Sequence, residues 1–190
     1  MNRIQPSILE LQVSAAIKKV FTTAVASHSD QQFYVFGLFT DDSLQFLYPI
    51  ANSEEALNAT VRRYREEVDP KYGGTSTHAS MRWSYGDWGY FPATDDESFR
   101  AINAALSQNF DRMLADGSFD GDLESLWDAI LAGFRQVESE GFFATLIPRS
   151  QITLLLAGDL PNDLVCDWVT RLNPPEIARR YIDWNPELPE

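Results

Sequence analysis

Hydrophobic residues recur every three or four positions along five stretches of the chain, and each stretch predicts an amphipathic helix. The first follows a Ser7-x-x-Glu10 capping box and extends to about residue 27. The second begins behind Asn52 as its cap. The others carry apolar stripes from Phe99 to Met113, from Leu123 to Val137, and from Leu164 to Leu172, with caps at Thr94 and Asp159 for the first and last of these three. Pro174 and Pro175 end the fifth helix and open a short final one.

Continuous apolar runs predict the strands. Phe33–Phe39 and Leu44–Ile50 flank the turn sequence TDDS, which predicts an antiparallel hairpin. Because Phe33–Phe39 is apolar almost throughout, we expect it to be a central strand that is covered on both faces. The runs FFATLIP and ITLLLAG predict two further strands, and Asp69–Ser80 reads as the longest loop.

The segment SMRWSYGDWGYFPA, residues 80–93, is the richest in aromatic residues. Gly86-Asp87 suits a two-residue turn with glycine first, so the pattern predicts a second hairpin over residues 80–91. Directly opposed residues of a hairpin share a face, which would place Met81, Trp83, Tyr85, Trp88 and Tyr90 on one side. The neighbouring Arg82 would point to the other side.

The order of these elements predicts the fold class. Strands come in pairs joined by short turns, with helices before, between and after them. This arrangement favours a single α+β domain over residues 1–190, with a mostly antiparallel or mixed sheet and helices packed on it. The length of 190 residues is enough for one substantial core.

The net charge of −13 narrows the range of partners. Nucleic acids and acidic membrane surfaces both attract basic proteins, so neither is an expected partner. Eleven acidic residues against three arginines lie between Asp95 and Glu140. This segment is either a solvated helical face or an anionic docking surface for a basic protein, with Asp116, Asp120 and Asp122 as its candidate residues.

Few residues offer catalytic or metal-binding chemistry. The two histidines, His28 and His78, are fifty positions apart, and no closely spaced Cys or His pair accompanies them. We therefore expect no metal and no cofactor. Cys166 is the one cysteine, so an intrachain disulfide is impossible and a reducing, cytoplasmic location is expected. The sequence contains no apolar run of membrane-spanning length and no secretory leader pattern.

The aromatic segment therefore carries the most informative candidate site. Helices covering its rings would make it part of the core. A partly open face would make Arg82, Trp83, Tyr85, Trp88 and Tyr90 a binding platform, because Trp and Tyr anchor interfaces at low entropic cost. We expect Trp83 to be buried, and Trp88 and Tyr85 to be partly open beside the turn.

The run FYVFGLFTDDSLQFLYPIANSEEAL, followed by RWSYGDW, resembles an uncharacterised bacterial family, the domain-of-unknown-function family 4303. The matching positions are Tyr34, Phe36, Thr40, Asp41, Pro49, Asn52, Ser53, Glu54, Glu55, Arg82, Trp83 and Trp88. The resemblance covers about residues 30–91 and implies no catalytic role for any of them. By analogy of class, small acidic α+β proteins of this kind resemble bacterial immunity or adaptor proteins.

These observations favour a non-enzymatic domain that binds another protein through an acidic docking surface. The alternative is an enzyme or small-molecule binder that uses a cleft beside residues 80–91, near Arg82 and His78. A deep pocket with convergent polar groups would favour the alternative, whereas a broad acidic and aromatic surface would favour protein binding.

Overall fold

The computed structural model describes residues 3–90, 92–93 and 97–185, without the side chains of residues 73, 75–77 and 119–121. Its strands are β1 (Phe33–Asp41), β2 (Tyr48–Ser53) and β3 (Thr153–Asp159). Its helices are α1 (Pro6–Ser27), α2 (Glu54–Glu67), α3 (Thr75–Trp83), α4 (Arg100–Asp116), α5 (Phe119–Ser139), α6 (Phe142–Leu146), α7 (Asn162–Leu172) and α8 (Pro175–Ile182).

The strands form one mixed sheet in the order β2-β1-β3. β1 pairs antiparallel with β2 and parallel with β3, in register from Val35 with Thr153 to Asp41 with Asp159. The prediction of an α+β fold with a mixed sheet is therefore confirmed. The antiparallel pairing of the first two strands is also confirmed, although β2 begins at Tyr48 rather than at Leu44.

Helices cover both faces of the sheet. On one face, α1, α4 and α5 pack against Phe36 and Leu38 of β1 and against Leu154 and Leu156 of β3. On the other face, α2, α3, α7 and α8 enclose a second core whose strand residues include Tyr34, Val35, Ile50, Leu155 and Ala157. β1 is consequently central and almost wholly buried, as its apolar sequence predicts.

The predicted second hairpin does not exist, and this prediction was wrong. Residues 75–83 form α3, and a 3-10 turn over Tyr85–Asp87 replaces the two-residue hairpin turn. Among the described residues of this segment, Tyr90 alone keeps strand character, through an antiparallel bridge to Ala51 at the outer edge of β2. The Trp88 indole N–H donates to the Arg82 carbonyl at 3.1 Å, which holds the chain in the turn. Alternating aromatics over so few residues do not distinguish a strand from a helix end followed by a turn.

The expected strand FFATLIP is a helix as well. Gly141 ends the preceding helix with a φ of +70°, a left-handed conformation that suits glycine, and α6 starts at once. Phe143 is fully buried against Phe21 and Phe134. The helical part of the run FFATLIP contains one β-branched residue. The strand prediction therefore depended on apolar character alone, which a buried helix shares with a strand.

Helix starts differ from the predicted caps by one to three residues. Ser53, not Asn52, caps α2, because its hydroxyl accepts the Ala56 amide at 3.0 Å. α1 begins at Pro6 after Gln5, without the Ser7 capping box, and α7 begins after Pro161 rather than at Asp159. The predicted cap at Thr94 lies outside the described residues.

No helix among the described residues has the length and apolarity needed to cross a membrane.

Candidate functional site

A hydrogen-bonded network joins β1, β2 and the end of α3. The Tyr34 hydroxyl donates to the Arg82 carbonyl and accepts from the Asn52 side-chain amide, both at 2.8 Å. The side-chain oxygen Oδ1 of Asn52 accepts a hydrogen bond from the Gly89 backbone N–H at 3.1 Å. Two bonds therefore tie the end of α3 and the turn to the sheet, and Trp88 donates to the same Arg82 carbonyl within the segment. We call Tyr34, Asn52, Glu54, Arg82 and Trp88 the tyrosine–arginine network.

The charged part of this network is the Arg82–Glu54 pair. Two guanidinium nitrogens of Arg82 donate to the two Glu54 carboxylate oxygens at 2.9 and 2.6 Å. The Arg82 guanidinium also lies over the Tyr34 ring, 4.3 Å from its centroid. A bidentate pair with a stacked guanidinium fixes the orientation of α3 relative to α2 and the sheet.

Tyr34 is unsuited to act as a base. Burial raises the pKa of its hydroxyl far above the ordinary value, although the hydrogen bond from Asn52 and the positive charge of Arg82 lower it. The phenol is therefore neutral at physiological pH, and both of its hydrogen bonds are structural.

A polar cleft lies beside this network, at the ends where β1 and β3 begin. It has a volume of about 300 Å³, and its lining includes Gln32, Glu54, Arg82, Gln151 and Arg180. A second space of about 290 Å³, lined by Tyr34, Arg82, Trp83, Thr153 and Arg180, shares several of these residues. Two arginines against one carboxylate give the cleft a local positive balance within an acidic chain.

A separate cavity, which we call the aromatic pocket, lies at the opposite ends of β1 and β3, where these parallel strands end. Its volume is about 260 Å³. Four rings line it, together with residues from the end of β3, from α7 and from Asn185: Trp83, Tyr85, Tyr181, Trp184, Ala157, Gly158, Leu160, Asn162, Val165 and Asn185. Crevices outside the carboxyl ends of parallel strands are the usual binding position in open α/β sheets.

The floor of the aromatic pocket depends on a glycine. A methyl group on Gly158 would lie 1.8 Å from the Thr40 carbonyl oxygen, so only glycine fits between the ends of β1 and β3. The Gly158 carbonyl accepts the Tyr85 hydroxyl at 3.1 Å. Burial, with the negative charge of Asp159, raises the pKa of Tyr85, and this ring is therefore also neutral.

The side of the pocket formed by α7 is held by amide and thiol groups. Asn185 donates to the Asn162 side-chain oxygen, and it contacts the Cys166 sulfur at 3.5 Å. Burial raises the pKa of the Cys166 thiol, so the thiolate needed for nucleophilic chemistry is disfavoured. Within the part of the chain that the structure describes, no group of three or more His, Cys, Asp or Glu side chains is arranged to hold a metal ion.

The structure separates the aromatic residues that the sequence placed on one face. Trp83 and Trp88 are each 5% exposed, so Trp83 is core as predicted, whereas the expectation of a partly open Trp88 was wrong. Tyr85 is half-buried in the aromatic pocket. Tyr90 packs on the far side of the sheet, with ring centroids 4.7 Å from His28 and 5.0 Å from Phe33.

The acidic residues that the sequence suggested as a docking surface also differ in their exposure to solvent. Asp122 is 7% exposed and forms ion pairs with Arg112 and Arg3, which contradicts the expectation of an exposed carboxylate there. Asp116 is exposed and lies 3.2 Å from Arg112. The side chain of Asp120 lies outside the described residues. Asp122 therefore anchors the start of α5 to α4 and to Arg3 instead of facing a partner.

Sequence reasoning missed the residues that complete the pocket, namely Tyr181, Trp184, Asn162 and Asn185. Tyr181 and Trp184 are three positions apart, a spacing that places two side chains on the same side of a helix. An aromatic pair at that spacing behind the Pro174-Pro175 helix start was the available signal. Pairing it with Trp83 required the tertiary structure, because about a hundred residues separate them.

The chain can now be compared with known proteins. Residues 13–174 match the family described as Domain of unknown function (DUF4303). The chain belongs to the DUF4303 family. The match includes the whole tyrosine–arginine network and the ends of β1 and β3, so the resemblance carried by FYVFGLF and RWSYGDW is confirmed. Arg180, Tyr181, Trp184 and Asn185 lie beyond the matched range.

No curated protein and no solved structure matches this DUF4303 chain.

Proposed function

We propose that this DUF4303 protein is a non-enzymatic domain that binds another protein by taking one of its side chains into the aromatic pocket. The observation that carries the proposal is the lining of that pocket. Four aromatic rings meet two asparagine amides and the end of β3, and none of the described lining residues is a carboxylate, a histidine or a lysine. Such a lining supports binding more than acid–base chemistry.

The size of the pocket supports a side chain as its occupant. Pockets for drug-sized ligands usually measure about 300–1,000 Å³, and the aromatic pocket is slightly smaller, at about 260 Å³. Aromatic residues are also enriched among the anchors at the centre of protein interfaces. Because the sequence has one cysteine, we propose a reducing compartment, the cytoplasm, as the place of this interaction.

Affinity capture from a cell lysate tests this function. Immobilised wild-type protein is compared with Trp184→Ala, which removes one wall of the pocket, and with Leu114→Ala as a matched control. Leu114 is 64% exposed on α4, on the face of the sheet away from the pocket. We expect a protein that is captured by the wild type and by Leu114→Ala and is lost with Trp184→Ala. Equal capture by all three would contradict the proposal, provided that thermal melts show all three folded.

The polar cleft supports a second candidate function, the binding of a small anionic molecule. Arg82 and Arg180 line the same space, and arginine is the preferred partner of carboxylates and phosphates. Arg180 donates to the Ser150 carbonyl at 2.8 Å and is otherwise exposed, so it can be replaced without disturbing the core. Arg180→Ala should abolish saturable binding of inorganic phosphate or acetate in calorimetry. Arg171→Ala on α7, an exposed arginine outside the cleft residues, is the control.

A further inference from the structure

The aromatic pocket has the properties of a cation site. Among the described residues, its lining contains no lysine or arginine and includes four aromatic rings. We propose that the side chain bound there is a positively charged lysine or arginine of the partner protein. This inference rests on the proposed function and specifies which residues of the partner the pocket selects.

The arrangement of the rings is the first argument. The Trp83 ring centroid lies 5.3 Å from Tyr181 and 6.4 Å from Trp184, and the Tyr181 and Trp184 centroids are 5.7 Å apart. The three rings are inclined to one another by 43–84°, so they form walls at different angles rather than a parallel stack. The faces of aromatic rings carry negative potential, and several faces around one space favour a cation.

The charge around the pocket is the second argument. Asp159 directly follows the lining residue Gly158, and its negative charge contributes to the raised pKa of Tyr85. The start of α7 brings the positive end of a helix dipole close to Asn162, but Asp163 in the first turn opposes it. The net charge of −13 adds a long-range attraction for basic partners.

The arginine next to the pocket residue Tyr181 in sequence does not offset the negative charge around the aromatic pocket. Arg180 adjoins Tyr181 in sequence, but its guanidinium donates to the Ser150 carbonyl, and it lines the polar cleft at the other end of β3. Arg82 likewise lines that cleft and is paired with Glu54. The polar cleft and the aromatic pocket therefore differ in the sign of the charge that surrounds them, and Trp83 lies between them. An anionic side chain would prefer the polar cleft, and a cationic one the aromatic pocket.

Nuclear magnetic resonance of the tryptophan indole N–H groups tests this inference. The full chain is titrated with N-acetyl-lysine amide and N-acetyl-arginine amide, and with N-acetyl-norleucine amide, which has the four-carbon stem of lysine without its ammonium group. We expect one of the basic probes to shift the indole signals of Trp83 and Trp184 with an affinity at least about tenfold higher than that of norleucine. Trp127, which packs against Trp168 elsewhere in the fold, is the internal control.

Asp159→Asn is the matched variant. It should weaken the basic probe about two- to threefold and leave the norleucine affinity unchanged, because only the charge at the rim is altered. Unchanged affinity for the basic probe in this variant would remove the electrostatic argument and overturn the inference.

The other outcomes separate this inference from the proposed function. If neither the lysine nor the arginine probe binds more tightly than the norleucine probe, the cation preference is overturned, while the pocket and the proposed function stand. Absence of any shift at Trp83 and Trp184 up to the solubility limit overturns the inference, and the capture experiment with Trp184→Ala still decides the proposed function. A free choline probe that binds more than about tenfold tighter than the lysine probe would reassign the pocket to a small ammonium molecule and overturn the choice of a partner side chain.

Discussion

Trp83 separates two regions with contrasting construction. In the tyrosine–arginine network, the polar groups of Tyr34, Asn52 and Arg82 meet protein partners at hydrogen-bonding distance. In the aromatic pocket, rings of similar chemistry surround about 260 Å³ of accessible space. The comparison shows that neighbouring aromatic residues of one segment can have different environments, because Trp88 is buried whereas Tyr85 borders an open space. What separates the two regions is that open space adjoins the rings of the pocket, whereas the network encloses none of comparable apolar lining.

The largest expected effect belongs to the residue that contacts both regions. Trp83→Ala should lower the free energy of unfolding by about 3–5 kcal/mol, because it removes a buried ring that packs on Tyr34, Tyr181 and Trp184. Chemical denaturation measures this loss. A loss below about 1 kcal/mol in the free energy of unfolding would show that Trp83 belongs to the aromatic pocket. It would contradict the boundary that we draw at Trp83 between the two regions.

The charged pair of the network should have the next largest effect. Arg82→Met keeps the aliphatic stem but leaves Glu54 without its bidentate partner, and it should cost about 1–3 kcal/mol. In a double-mutant cycle, Arg82→Met with Glu54→Gln should lose less than the sum of the single variants. Strict additivity would mean that the pair is not a coupled unit.

The pH dependence of stability distinguishes the two regions through Tyr34. Because burial raises the pKa of Tyr34 in the folded chain, its stabilising contribution is complete below the ordinary tyrosine pKa of 10.0 and is lost as the pH rises above it. The free energy of unfolding should therefore fall more steeply between pH 9 and about pH 11 for the wild type than for Tyr34→Phe. Identical slopes would show that Tyr34 ionises in the folded protein as freely as in the unfolded chain.

The smallest expected effect belongs to the pocket. Tyr85→Phe removes the hydrogen bond to the Gly158 carbonyl and should cost about 1 kcal/mol or less, because Tyr85 is only half-buried. Thermal melts should therefore place it close to the wild type and well above Trp83→Ala. A loss as large as that of Trp83→Ala would make the pocket part of the core.

The sequence predicted the parts of the fold that depend on local pattern. The apolar run at β1, the stripes of α1 and α5, and the glycine stop at Gly141 each carry their information within a few residues. The segment 80–91 misled because its alternating aromatics match a strand, whereas Asn52 and Tyr34 stabilise a helix end and a turn there. Those contacts join residues about 30–50 positions apart, so no local pattern contains them.

The candidate site could be predicted only in part, because some of its residues come from distant parts of the chain. Trp83 and Tyr85 attracted attention as a cluster, but the pocket also needs Gly158, Tyr181 and Trp184 from the end of the chain. The acidic segment was interpreted from charge count alone. Asp122 shows why this is insufficient, because a carboxylate can be buried by arginines that are distant in sequence, such as Arg3.

The parallel pairing of β1 with β3 has a consequence for biosynthesis. Val35 pairs with Thr153, 118 residues further along the chain, so the central strand is made long before its partner. At about 5–20 residues per second, the ribosome needs roughly 6–24 s to reach that partner. During this interval one edge of an almost wholly apolar strand lacks its neighbour, and such an edge can pair with other chains. Closing a loop of this length also makes the contact late and slow in folding. Efficient expression of this protein should therefore depend on whatever shields β1 during synthesis, with α1, already made and packed against Phe36 through Phe21, as the nearest candidate.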